Sequence, residues 1–150
     1  MSDPAPEAVE ALRSALQAEH AALWTCGLAT AFAGAERVSS AVHEATAQHE
    51  RLRDGAEQAL RRIGQTPPAA RPAYDVGSRP EDENSMIRVL ITAETDCQVG
   101  WRSVLDTAGD RGVRELALDG LTTAATRATR WRITVGERPA AAPLPGDPRS

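Results

Sequence analysis

Apolar residues recur along the chain at intervals of three and four, the spacing of an α-helix that buries one face. Four long segments carry this pattern, and a glycine follows each of them. No long run alternates with a period of two, so the sequence predicts an all-α fold without a sheet. The predicted helices span about residues 6–33, 36–63, 80–109 and 111–136.

The links between these helices differ in length. The first and third are only a few residues long, around Gly34 and Gly109, so each pair of helices must be antiparallel. The second link, residues 64–80, contains four prolines. At roughly 3.3 Å per residue it can reach about 55 Å, more than the length of about 40 Å expected for the helices. The sequence therefore predicts a ferritin-like four-helix bundle, two antiparallel helix hairpins joined by a long crossover, with a simple up-down bundle as the alternative.

The chain has 150 residues, a usual length for one domain. We expect residues 1–136 to form the bundle and residues 137–150, with four prolines, to form an extended C-terminal tail. Cys26 and Cys97 both fall within helical segments, and the chain has no C-x-x-C pair. We therefore expect two buried free thiols rather than a zinc or redox motif.

The charge pattern bears on partners and location. The net charge is -4, and the 17 basic residues, all of them arginine, are interspersed with acids. Without a basic stripe we expect no nucleic-acid partner, and without a run of about 18 apolar residues we expect no membrane span. The first residues lack the basic and then apolar order of a signal peptide. We therefore expect a cytoplasmic protein.

Each of the first three helices has one ionisable residue in the middle of its apolar stripe. These residues are Glu19, His49 and Glu94, and each lies near the midpoint of its helix. A buried carboxylate is costly unless it is paired, protonated or bound to metal, so we expect the three to meet in the core. His20 points about 100° away from Glu19, and we expect it at a solvated or boundary position.

Two explanations for these residues remain open. Glu19, His49 and Glu94 are candidate ligands for iron, manganese or zinc, because carboxylates and imidazole form di-iron and di-manganese sites in bundles. The ligand pattern is incomplete, since Thr46 takes the place of a carboxylate before His49 and the fourth helix has no Glu-x-x-His. That helix instead places Arg127 beside its stripe, where a guanidinium can pair with a carboxylate. We favour this buried Glu, His and Arg network over a metal site.

Several segments together resemble a known family. They are the sequence Ala-Glu-His-Ala-Ala at 18–22, His-Glu-Arg-Leu-Arg-Asp at 49–54, Glu94, Thr-Arg-Ala-Thr-Arg-Trp-Arg at 126–132, and Pro-Gly at 145–146. Their order and spacing resemble a bacterial ferritin-like four-helix-bundle domain family of unknown function, over nearly the whole chain. The resemblance implies a ferritin-like bundle. It implies no reaction and leaves the metal question open.

The sequence favours a non-catalytic helical module that acts by self-association or through an unidentified partner, with a homodimer as the default. One alternative is a metal-binding oxidoreductase or a metal-storage relative with an incomplete ligand set. A third hypothesis is a bundle that holds a small apolar ligand, because the core is rich in alanine and only 3% of residues are aromatic. Whether the protein is an enzyme is left open.

Overall fold

Four helices make up the computed structural model, which describes residues 3–149. They are α1 (Pro6–Ala29), α2 (Glu36–Arg62), α3 (Glu83–Thr107) and α4 (Arg111–Val135). Between residues 3 and 149 there is no strand, which confirms the predicted all-α class. Three residues lie outside the described part of the chain: Met1 and Ser2 of the predicted bundle, and Ser150 of the predicted tail.

Most helix ends follow from local capping. The Asp110 carboxylate accepts a hydrogen bond of 2.9 Å from the Val113 amide at the start of α4, as an N-cap does. Gly136 ends that helix in the left-handed conformation, with φ of 76°. At the end of α2, Gly64 has φ of 75°, which glycine adopts without a steric penalty. These ends lie where the sequence predicts them.

Two helix ends differ from the prediction by three or four residues. α1 ends at Ala29 rather than at Ala33, because the Ala31 and Phe32 amides bond three residues back and tighten the chain into a 3₁₀ turn. α3 begins at Glu83 rather than at Pro80. Asp82 and Ser85 form a capping box there, which fixes the first turn after the proline.

The long link crosses the bundle, as predicted. The Gly34 and Ala35 amides donate to the Glu83 carboxylate at 2.7 and 3.0 Å, so α2 and α3 begin at the same end and run parallel. The link runs along α1, where His20 Nε2 lies 3.1 Å from the carbonyl oxygen of Pro68. α1 packs against α2 and α3, while α4 packs closely on α3 and more loosely on α2.

The apolar core has two halves. One contains Leu16, Leu52, Cys97 and Ala124, among others. The other contains Cys26, Ala45, Leu90 and Trp131, among others. Near the boundary between these halves every helix has a buried polar residue: Glu19, His49, Glu94 and Arg127. The helices are therefore aligned so that one polar layer divides the core.

The segment after α4 returns along α3. The Arg132 guanidinium donates to the Ala140 carbonyl, and Arg102 donates to the Pro145 carbonyl at 3.5 Å. Gly146, with φ of 79°, lies so close to α3 that a Cβ atom there would be 2.5 Å from the Gln98 carbonyl oxygen. The division into a bundle, 1–136, and a tail, 137–150, stays a prediction. None of the four helices is long and apolar enough to cross a membrane.

A buried carboxylate, histidine and arginine cluster as the candidate site

The polar layer brings together one side chain from each helix. Glu19 of α1, His49 of α2 and Glu94 of α3 are at most 1% exposed, and Arg127 of α4 is 6% exposed. Isolated charges at such depth would cost several kcal/mol each. Their mutual contacts therefore decide whether this arrangement is stable.

His49 lies between the two carboxylates. Its Nδ1 is 2.5 Å from Glu19 Oε2, and its Nε2 is 3.1 Å from Glu94 Oε1. Because an ionised carboxylate only accepts hydrogen bonds, these two contacts favour an imidazolium that donates from both nitrogens, although Nε2 also lies 3.3 Å from Arg127 Nη2. Burial by itself would lower the pKa of His49, but the hydrogen bonds to Glu19 and Glu94 outweigh burial and raise the pKa to about 9.

Arg127 adds the second positive charge. Its Nε donates to Glu94 Oε1 at 2.7 Å and its Nη2 to Glu94 Oε2 at 3.3 Å, while its Nη1 donates to Gln48 Oε1. Burial would raise the pKa of Glu94, but His49 and Arg127 together hold it below the ordinary value. The carboxylate likewise raises the pKa of Arg127 against the effect of burial.

Trp101 completes the coordination of Glu19. Its indole Nε1 donates to Glu19 Oε1 at 2.8 Å, so all four oxygens of Glu19 and Glu94 have a donor. The indole packs against Gly120 of α4, where a Cβ atom would lie 2.6 Å from the ring. Trp101 was not predicted to belong to the site. Its position on the same stripe as Glu94, seven residues later, was the signal that could have placed it in the site.

The cluster has no net charge by formal count. Glu19 and Glu94 supply two negative charges, and protonated His49 and Arg127 supply two positive charges. Each charge faces at least one opposite charge within hydrogen-bond distance. A buried network can be stable when every member is satisfied in this way.

Cys97 adjoins the network and was not predicted to do so. One ligand atom from each of Glu19, His49 and Cys97 lies within 4.8 Å of the other two. Cys97 and Cys26 are both buried and unbridged, which confirms the prediction of two free thiols. Burial raises the pKa of Cys97 well above its ordinary value and that of Cys26 to about 12, so both thiols are protonated at neutral pH.

These donors do not fit a two-metal centre. Both oxygens of Glu94 are paired with the Arg127 guanidinium, and both nitrogens of His49 lie within hydrogen-bond distance of a carboxylate. A metal ligand must offer a lone pair, so an ion would have to displace the His49 protons and separate Arg127 from Glu94. The arrangement fits a hydrogen-bonded ion network. The role of Glu19, His49 and Glu94 as ligands of iron, manganese or zinc stays a prediction.

His20 differs from the expectation of a solvated or boundary position. It is 6% exposed, because the crossover covers it, and its Nε2 bonds to the Pro68 carbonyl. The sequence places His20 beside α1's apolar stripe but cannot show that a later segment folds over it. It lies in contact with the link and takes no part in the polar layer.

Comparisons with known proteins bear on the family. Residues 11–149 match the family described as a domain of unknown function, DUF4439. The chain is also similar to a conserved hypothetical protein, rv2844, from Mycobacterium tuberculosis, whose crystal structure has been determined. The two are 30% identical and superpose with a TM-score of 0.83 over 93% of this chain and 97% of that one. No curated protein matches this chain. The match over residues 11–149 shows that the chain belongs to the DUF4439 family.

Proposed function

We propose that this chain is a non-catalytic helical module whose buried network fixes the alignment of its four helices. The observation that carries this proposal is that the charged residues of the network are buried and paired with one another. All four charged members are at most 6% exposed, and each is paired with another member. A catalytic acid or base must reach a proton on its substrate. Glu19, His49 and Glu94 are too deeply buried to do so, and Arg127, which lines a groove on one side, is held by Glu94.

The network penalises other alignments of the helices. A shift of one helix by one turn displaces its polar residue by about 5.4 Å, which is beyond hydrogen-bond distance. The displaced charge and its former partner would then be buried and unpaired, at a cost of about 3–5 kcal/mol. An alanine-rich core discriminates poorly between neighbouring alignments because its side chains are small and alike. Polar specification of this kind is known from buried asparagines in coiled coils.

We further propose that this module is a ferritin-like bundle. In it, the guanidinium of Arg127 and the imidazolium of His49, rather than metal ions, neutralise the two buried carboxylates. The alternative is a metal-binding oxidoreductase or storage protein. The proximity of Glu19, His49 and Cys97 favours that alternative, because thiolate, imidazole and carboxylate together suit zinc or iron. The protons on His49 and Cys97 oppose it, since both must leave before an ion can bind.

Metal analysis separates the two functions. The full chain is incubated in turn with iron(II), manganese(II) and zinc(II), desalted, and measured by mass spectrometry of the bound element. We expect well below one equivalent, and the same content in Glu19→Gln and in the control Asp119→Asn, whose carboxylate is exposed. One equivalent in the wild type and the control that is lost from Glu19→Gln would establish the metal alternative.

The alignment role has its own test. All four members of the network are replaced by leucine, which removes the charges together and leaves none unpaired. We expect a helical protein whose amide NMR spectrum is broadened by several helix alignments. A sharp spectrum with one peak per residue would show that apolar packing alone fixes the alignment.

A homodimer in the cytoplasm, without a nucleic-acid partner, completes the proposal. The net charge of -4 disfavours nucleic acid. Leu118 on α4 is 56% exposed, and we place the contact between the two chains at this side chain. Light scattering should give the mass of two chains for the wild type and of one chain for Leu118→Glu. The mass of one chain at every concentration of the wild type would exclude the dimer.

A further inference from the structure

A cavity opens between α2 and α4, where these two helices diverge. Its volume is about 280 Å³, and it lies near the start of α2 and the end of α4. The apolar part of its wall comes from Val38, Ala41 and Ala45 of α2 and from Trp131 and Ile133 of α4. The small side chains of α2 leave this space, since the facing helix has only one large ring to fill it.

The wall of this groove holds a buried donor without an acceptor. Trp131 is 4% exposed, and its indole Nε1 finds no hydrogen-bond partner among residues 3–149. A buried N–H group without an acceptor costs about 1–3 kcal/mol, so most such groups in native proteins are satisfied. Trp131 therefore places an unsatisfied polar group beside an otherwise apolar wall.

The charges around the groove are mainly positive. Arg37 and Arg130 are exposed on its two sides, and Arg127 lies at its wall. Glu44 is the one acidic side chain among the residues that line it. Because the chain as a whole is acidic, with a net charge of -4, this excess of arginine is local. It suits an anion, and guanidinium groups pair particularly well with carboxylates.

We infer that the groove binds a small amphipathic carboxylate of the medium-chain fatty acid type. The hydrocarbon chain lies against Ala41, Ala45 and Trp131, and the carboxylate pairs with the guanidinium groups of Arg37 and Arg130. The volume is near the lower end of ligand pockets, about 300–1,000 Å³, which suits a fragment-sized molecule. This site does not depend on the role of the polar layer.

Octanoate is the probe for this site. The full chain, labelled with nitrogen-15, is titrated with octanoate while the indole N–H resonances of its tryptophans are followed by NMR. The Trp131 resonance is assigned by its loss in Trp131→Phe. We expect it to shift saturably, while the Trp101 resonance, held by Glu19, stays in place. Octanol, which has the same chain without the charge, should bind about tenfold more weakly.

A pair of charge variants tests the carboxylate contact. Arg37→Gln with Arg130→Gln should weaken octanoate binding about tenfold and leave octanol binding unchanged. Arg62→Gln with Arg111→Gln makes the same change in net charge away from the groove and should have no effect. The inference fails if octanoate produces no saturable Trp131 shift, if octanol binds as tightly as octanoate, or if both double variants weaken binding equally.

Discussion

Arg127 and Glu94 form a bidentate ion pair between α4 and α3, with Nε 2.7 Å from Oε1 and Nη2 3.3 Å from Oε2. Arg127→Ala would leave Glu94 buried with a net excess of negative charge in the layer. We expect a loss of about 3–5 kcal/mol in the free energy of unfolding, measured by urea denaturation. A loss below about 1 kcal/mol would mean that the pair is not buried as described.

Two companion variants interpret that loss. Arg130→Ala removes an exposed arginine from the same helix and should change stability by less than about 0.5 kcal/mol. Glu94→Leu with Arg127→Met removes both charges together and should cost less than Arg127→Ala alone, because no carboxylate is stranded. The single variants Glu94→Leu and Arg127→Met complete the comparison. If the double variant loses as much free energy of unfolding as these two single variants added together, Arg127 and Glu94 do not act as a pair.

The protonation of His49 predicts how stability depends on pH. Its pKa rises from an ordinary 6.5 to about 9 on folding. The stabilisation that comes from protonated His49 is therefore complete below about pH 6.5 and is lost as pH rises through about 9. The free energy of unfolding should fall over this range by an amount on the order of 3 kcal/mol. The lowered pKa of Glu94 acts at the other end, so its stabilisation is lost only as pH falls below the ordinary value of 4.5. Urea denaturation from pH 5 to pH 9 measures the upper limit, and a series extended below pH 4.5 measures the lower one.

His49→Gln is the matched control for the pH series. Glutamine keeps a donor but does not titrate, so the decline in stability between pH 6.5 and 9 should disappear. Cys26 and Cys97 contribute little to the change in stability between pH 6.5 and 9, because the ordinary pKa of a thiol is 9.0 and folding raises it further. A wild type whose stability stays level up to pH 9 would show that His49 is neutral in the folded chain.

Regular spacing made much of the fold predictable from sequence. The apolar stripes identified the four helices, and the unequal links identified the crossover, because only the second link is long enough to span the bundle. Two ends were misplaced for local reasons. The last turn at the end of α1 tightens into a 3₁₀ turn, and the Asp82 and Ser85 capping box overrides the helix start suggested by Pro80.

The polar layer was predictable only in part. Glu19, His49 and Glu94 stood out because each interrupts an apolar stripe, and Arg127 because it borders one. Neither Trp101 nor Gln48 interrupts a stripe with a charged residue, and an indole within a stripe and an amide beside one are ordinary in helices. Their contacts with Glu19 and Arg127 depend on how the helices rotate against one another. Periodicity alone does not fix that rotation.

Glu83 joins the start of α3 to the turn that precedes α2. Its carboxylate accepts hydrogen bonds from the Gly34 and Ala35 amides, and α2 has no side-chain cap of its own. Glu83→Ala should therefore cost about 1 kcal/mol, the usual net value of a hydrogen bond. Glu83→Gln, which keeps an acceptor oxygen, should cost less, and Glu81→Ala, at an exposed neighbouring position, should cost almost nothing. Equal effects of all three variants in urea denaturation would contradict this bridge.

Gly120 and Gly27 should respond in opposite ways to alanine. A Cβ atom at position 120 would lie 2.6 Å from the Trp101 ring, whose Nε1 is tied to Glu19. At position 27 it would meet nothing within 4 Å.

Gly120→Ala must therefore push the ring away from Glu19, and we expect a net loss of about 1–3 kcal/mol. Gly27→Ala gains helix propensity without a clash and should stabilise the chain by about 0.5–1 kcal/mol. Thermal and urea unfolding measure both changes, and the Trp101 indole NMR resonance should move only in Gly120→Ala. If Gly120→Ala is as stable as Gly27→Ala and leaves that resonance in place, α4 does not hold the indole against Glu19.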